Sequence, residues 1–159
     1  MIIRVCSLLA AFAVFLCAEV VEATAKSFYA DENAGETILS GSAKIVRGKD
    51  VLRGDRITIL FTKERDIRKY ESKGASSFNV TIDENSQYIG EADEIVYLPS
   101  EGTYSLKGRA WVEDPINQRK VMGDQIVFNE KTRVAQVNGE QSAPVKLIFT
   151  IKDRNETKP

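Results

Sequence analysis

Three aspartates, Asp55, Asp93 and Asp124, recur at the same place in "LRGDRITILF", "IGEADEIVYL" and "VMGDQIVFNE". They are the residues with which this sequence could do chemistry. Two kinds of chemistry use carboxylates in series. Calcium takes six or more oxygens from closely spaced ligands, and a carboxylate-pair hydrolase needs two acids facing each other across a cleft. These aspartates lie a whole repeat apart, and nothing singles out a pair. The chain has no histidine, which excludes catalytic triads, histidine zinc sites and histidine acid–base chemistry. Its two cysteines are Cys6 and Cys17. No metal or cofactor is called for, and the sequence reads as that of a non-enzymatic protein.

The cysteines fall inside a targeting segment. "MIIRVCSLLAAFAVFLCAEVVEATA" opens on one positive charge, Arg4, runs apolar from Val5 to Ala18, and passes into small residues. That pattern suits a secretory signal at 1–23, with cleavage after Ala23 or Ala25. The alternative is an uncleaved anchor, if the apolar run extends through Val20 and Val21. An exported chain cut after Ala23 has no thiol, so a hydrophobic core and not disulfides must hold it together. It carries 21 basic and 21 acidic residues. A globally basic surface for nucleic acid is therefore absent.

The elements that position the aspartates are copies of one unit. "LSGSAKIV" (39–46), "SKGASSFNV" (72–80) and "LKGRAWVED" (106–114) each precede an aspartate motif, and "VNGEQSAPV" (137–145) begins a fourth copy. Gly41, Gly74, Gly108 and Gly139 are spaced 33, 34 and 31 residues apart, a period that marks one supersecondary unit repeated along the chain. Alternation within the units has period two, as in Ile57, Ile59 and Phe61 against Arg56 and Thr58. The residues are β-branched and aromatic, and the connections are Gly, Asn, Asp and Ser. "TKERDIRKYESK" (62–73) is the best helix candidate, but it is charged on every side and reads as a hairpin turn leading into a strand. Each unit is expected to be a strand starting at Gly, a turn, and a second strand starting at Gly/Ala-Asp. Return strands follow at 103–108 and 133–139. Arg53-Gly54-Asp55, which spells a cell-adhesion tripeptide, is on this reading an architectural position. Its Asp bonds nearby backbone N–H groups at a strand entry.

In series, these motifs resemble the LptA/OstA-like lipopolysaccharide-transport family, over roughly 39–149. The resemblance implies an all-β fold, an open twisted β-jellyroll with two antiparallel sheets in a V, whose inner face takes the acyl chains of lipopolysaccharide. It also implies head-to-tail stacking of copies, a periplasmic location, and LptC-like inner-membrane and LptD-like outer-membrane partners. Two alternatives stay open: a membrane-anchored LptC-like component, and a structural or adhesion β-repeat that binds no lipid. The chain then divides into the signal (1–23), a lead-in strand (24–38), the β-jellyroll (39–152) and a polar tail (153–159).

Parity supplies a candidate trough lining: Ile45, Ile57, Ile59, Phe61, Phe78, Ile95, Tyr97, Val112, Ile126, Phe128, Leu147 and Phe149. Alternation says which residues point together, not which face is inside. Trp111 falls opposite Ala110 and Val112. The last strand, "APVKLIFTIKD" (143–153), is long and apolar, a liability unless a partner pairs with it. Joined head to tail with the edge near "ETILSGSAKIV", it would build an open filament. Lys44, Arg47, Lys49, Arg53 and Arg56 cluster near the N-terminal end, either to meet lipid phosphates or as gatekeeper charges. "DRNET" (153–157) resembles the extended acceptor pattern of bacterial periplasmic N-glycosylation, with Asn155 as the candidate; chance occurrence is the alternative.

Overall fold

A computed structural model of the chain describes residues 19–151. These residues form ten strands: β1 (Val21–Thr24), β2 (Ser27–Asp31), β3 (Glu36–Arg47), β4 (Asp50–Phe61), β5 (Ile67–Asp83), β6 (Ser86–Leu98), β7 (Thr103–Asp114), β8 (Arg119–Asn129), β9 (Val134–Asn138) and β10 (Lys146–Phe149). Cys6, Cys17 and most of the expected signal lie outside the described residues, as does Asn155. Val21–Ala23, at the end of that segment, are already paired with β3. No helix occurs among the described residues, so none is long and apolar enough to cross a membrane. The 62–73 stretch is the β4–β5 turn followed by the start of β5.

The strands form one antiparallel sheet in the order β1-β3-β4-β5-β6-β7-β8-β10, with β2 also on β3 and β9 also on β8. Every long strand is interrupted at one common level, and two further shifts lie near hairpin ends, at Leu60/Phe61 and at Thr81/Asp83. The registers shift between Ser40 and Ala43, between Arg53 and Arg56, between Lys73 and Ser76, between Glu91 and Glu94, and between Lys107 and Ala110. These bulges lie on adjacent strands, so they line up as a crease across the sheet. The crease divides the sheet into two limbs. Limb A holds 36–40, 56–61, 67–73, 94–98, 103–107 and 125–129, with β2 and β9. Limb B holds 43–47, 50–53, 76–83, 86–92, 110–114 and 119–123, with β1 and β10.

The short strands expected to start at glycine are therefore halves of longer ones. Gly74 is not a strand end but the middle of a 17-residue strand, and 103–108 continues unbroken into 109–114. The reason is the bulge. Gly74 has φ +76° and Ala75 +44°, and Gly108 has φ +79° and Arg109 +50°. Two consecutive left-handed residues bend a strand without ending it, and the first of each pair needs glycine. The partner strand supplies the aspartate. A Cβ on Gly74 or on Gly108 would collide with the side chain of Asp55 or of Asp93.

The bulges also control which way side chains point. In β3, β5 and β7 the inward residues keep the same parity on both limbs, as with Tyr70, Ser72, Phe78 and Val80. In β4, β6 and β8 parity flips, as between Ala92 and Ile95. The aspartate is the single residue opposite each two-residue bulge, as Asp93 is opposite Gly74 and Ala75. Between the limbs lies one hydrophobic core that includes Ile57, Ile95, Leu106 and Ile126, all at most 1% exposed. At the crease the buried Ser72 hydroxyl donates to Arg53 O (2.9 Å) and pairs with Ser76 Oγ (2.8 Å), so no polar group is stranded there.

Candidate functional site

The aspartate ladder is structural. Asp55, Asp93 and Asp124 sit on every second strand, roughly 10 Å apart at the usual strand spacing, too far to share one ion. Asp93 takes its hydrogen bonds from the Arg109 guanidinium, not from backbone N–H groups as the sequence led us to expect. That pairing holds its carboxyl below the usual carboxylate range. Arg53-Gly54-Asp55 is in mid-strand on the crease, with Gly54 buried against Ser72 and Ser76.

The site with the means to bind something is the space between the limbs. Its floor and walls are the inward residues of both. Of the twelve expected lining residues, Ile45, Ile57, Ile59, Phe78, Ile95, Tyr97, Val112, Ile126 and Phe128 are buried in this core, and Phe61 packs partly buried against it. Leu147 and Phe149 are not covered; they are 61% and 56% exposed. Leu147 nevertheless pairs with Val121, which packs on the core, and directly opposed residues share a face. Both therefore point along the inner side of limb B, past the end of its cover.

Sequence parity missed Leu39, Tyr70, Val80, Tyr104 and Leu106, all buried here. Tyr104 and Leu106 stood in the supposed return strand. With Tyr70, Tyr97 and Phe128 on neighbouring strands of limb A, Tyr104 completes a file of rings whose centroids are 6.2, 4.2 and 6.5 Å apart in succession. Burial pushes the Tyr97 hydroxyl up to about 12, with help from the bond it donates to Glu130 Oε1 (2.9 Å). Burial raises Tyr104 and Tyr70 as well.

The interior is nearly full. A cavity of about 60 Å³ remains where Ile45, Leu52 and Val80 of limb B face Tyr70, Tyr97 and Tyr104 of limb A. Arg47 stands at its rim, held by Asp50 (3.2 Å) and Glu19 (3.7 Å). The other clustered basic residues, Lys44, Arg53 and Arg56, alternate with inward-facing Ile45, Leu52 and Ile57 and so lie on the outer face, with Lys49 in the exposed β3–β4 turn. Trp111 is also outside: its Nε1 donates to Glu91 (3.2 Å) and Lys120 Nζ sits 3.9 Å over its ring.

Both ends of the sheet are open. β1 and β2 run along one edge and β9 and β10 along the other, with nothing paired outside them among the described residues. The edges are apolar, with Phe28 and Tyr29 exposed at the first and Val145, Leu147, Ile148 and Phe149 at the second.

No curated protein matches this sequence. Among solved structures the chain is similar to LptH of Pseudomonas aeruginosa, described as the LptA homologous periplasmic component of the conserved lipopolysaccharide transport device. The TM-score is 0.73 at 15% identity, covering 84% of this chain and 96% of that one. That likeness is one of fold, an open β-jellyroll. The sequence itself matches the family described as LptA/(LptD N-terminal domain) LPS transport protein across residues 22–134. A match that takes in both limbs and the first three copies of the repeat settles the family: this chain belongs to the LptA and LptD N-terminal-domain group of lipopolysaccharide transport proteins.

Proposed function

We propose that the chain is a periplasmic carrier that bridges the inner and outer membranes, holding the acyl chains of lipopolysaccharide between its limbs and stacking head to tail with its own copies. The observation that carries this reading is the continuity of the inner apolar face to both ends of the sheet. Phe28 pairs with Leu39, a core residue, and so faces inward at the first edge, as Leu147 and Phe149 do at the last. A monomer that worked alone would leave these side chains in water, each at a cost of roughly 1.5–3 kcal/mol relative to burial. It would also leave two unpaired backbone edges, which proteins normally blunt. A second copy removes both costs and extends the trough, and a filament of such copies keeps an acyl chain out of water at every step. The same edges suit an LptC-like component at one end and an LptD-like component at the other.

The test is a photo-crosslinking residue at Phe128, with neighbouring Val127 as control, in cells that make lipopolysaccharide. Phe128 lies in the core, whereas Val127 points to the other face of β8. A lipopolysaccharide adduct at Phe128 and none at Val127 is expected. No adduct at Phe128, Ile57 or Phe149 would leave a β-repeat whose partner is protein and sink the carrier reading.

A further inference from the structure

We propose that Arg133 is a clasp across the mouth of the trough, which shuts the C-terminal half of the two limbs and must release before that half accepts a chain. This rests on the carrier reading above. The hairpin turns of limb A and of limb B end on opposite sides of the interior. Away from the crease, the hydrogen bonds and ion pairs among the described residues that run from one limb to the other are those of Arg133. Its Nη1 donates to Ser86 Oγ (2.7 Å) and its Nη2 to Asp83 Oδ2. Arg133 belongs to the β8–β9 turn of limb A; Asp83 and Ser86 flank the β5–β6 turn of limb B.

Both turns are shaped to meet. Asn129 Oδ1 accepts from the backbone N–H groups of Lys131 (3.0 Å) and Thr132 (2.9 Å), and Arg133 N donates to Asn129 O (2.8 Å). That geometry leaves Arg133 at φ +59°, a left-handed conformation an arginine adopts only when its surroundings impose it. On the other limb Asp83 divides its oxygens: Oδ1 accepts from Asn85 N (2.9 Å) to build the turn, and Oδ2 faces Arg133. Beneath the clasp Tyr88 of limb B packs on Phe128 of limb A, 4.8 Å between centroids.

The interior gives the clasp its purpose. Its cavity of about 60 Å³ is well below the roughly 300–1,000 Å³ of pockets that hold drug-sized ligands, so the limbs must part to take an acyl chain. The cavity lies under Ile45, Leu52 and Val80, where no polar bond joins the limbs among the described residues. Parting therefore starts there and stops at Arg133. Arg133 and Asp83 are 49% and 43% exposed, and pairs this wet are weak enough to open and reclose.

The test places spin labels on the two turns, by Glu84→Cys and Lys131→Cys in the exported chain, and measures their distance with and without purified lipopolysaccharide. With Arg133 intact and no lipid, one narrow distribution is expected. Arg133→Ala, and Asp83→Asn, which retains the turn-forming oxygen, should each broaden it towards distances several ångströms longer, and lipopolysaccharide should do the same to the unsubstituted pair. If both variants keep the narrow distribution, the clasp is overturned, even where lipopolysaccharide still lengthens the distance and the carrier reading stands. If the variants open the turns and lipopolysaccharide moves nothing, the clasp holds and the carrier reading fails.

Discussion

Phe78 of β5 and Tyr104 of β7 stack across the interior, with ring centroids 5.6 Å apart and planes 24° from parallel. They meet although β6 lies between their strands along the sheet. Tyr88 of β6 and Phe128 of β8 repeat the same step. Each strand of limb B thus faces the limb A portion of a strand two places further on, as expected when two halves of a strongly twisted sheet fold over each other. The offset leaves limb B overhanging at β8 and β10, and limb A overhanging at β2 and β3. Leu147 and Phe149 are exposed on one overhang and Phe28 on the other, so two copies set head to tail would each cover what the other leaves bare.

That complementarity makes the edge aromatics assembly residues and not stability residues. Phe149→Asp and Phe28→Asp should each weaken self-association by tenfold or more, given roughly 1.5–3 kcal/mol for a buried aromatic and about 1.4 kcal/mol per decade. The unfolding midpoint of the dilute monomer should stay put. Sedimentation across a concentration series reads the first quantity and urea titration the second. Unchanged association in both variants would mean that the overhangs do not meet.

At the crease, Gly74→Ala should destabilise the fold by about 1–2 kcal/mol from the left-handed backbone alone, with more added because the new methyl meets Asp55. Replacing Asp55 by Gly in the same chain should return only the second part. The two changes touch each other and will not add; a double-mutant cycle in urea measures the shortfall. Strict additivity would remove Asp55 from the bend.

The repeat was readable in the chain because the crease reuses the same residues: a glycine with positive φ at 41, 74 and 108, and at 74 and 108 an aspartate of the neighbouring strand that fills the space beside it. Alternation was readable for the same reason within each half-strand, which is how Ile57, Ile95, Ile126 and Phe128 were found. It failed at the joins. A strand that continues through a bulge looks, residue by residue, like one strand ending and another starting, so Tyr104 and Leu106 read as part of a separate return strand outside the lining. Exposure at Leu147 and Phe149 comes from the twist between limbs, which no alternation encodes. The Arg133–Asp83 contact joins turn residues 50 apart in sequence, in stretches where every other residue is polar or charged.

Leu106 is the sharpest case, because it is fully buried and parity passed over it. Leu106→Ala should cost about 2–5 kcal/mol, the range for truncating a buried leucine. Trp111→Ala, on the outer face, should cost far less despite its greater size. It gives up one exposed hydrogen bond to Glu91 and a cation–π contact worth about 0.5–1 kcal/mol at such sites. Chemical denaturation of the two variants side by side decides it. Equal losses would place Trp111 inside, contrary to the geometry.

The tyrosine file sets an alkaline limit on the fold. Tyr97 is raised to about 12 by burial and by its bond to Glu130, and burial raises Tyr70 and Tyr104 too. A phenol whose folded pKa lies above its unfolded value of about 10 lends stability that is complete below pH 10. That contribution is lost as pH climbs through the folded value, because the unfolded chain gives up its proton first. Stability should therefore be level from neutral pH to about 10 and fall between about 10 and 12. Tyr97→Phe should move the fall to higher pH, since it removes the ionising group and retains most of the packing. Circular dichroism across that range follows the fold, and tyrosinate absorbance at the same pH values follows the protons. If Tyr70, Tyr97 and Tyr104 ionise near pH 10 while the chain is still folded, the hydroxyls are in contact with water and the limbs stand further apart than their ring contacts allow.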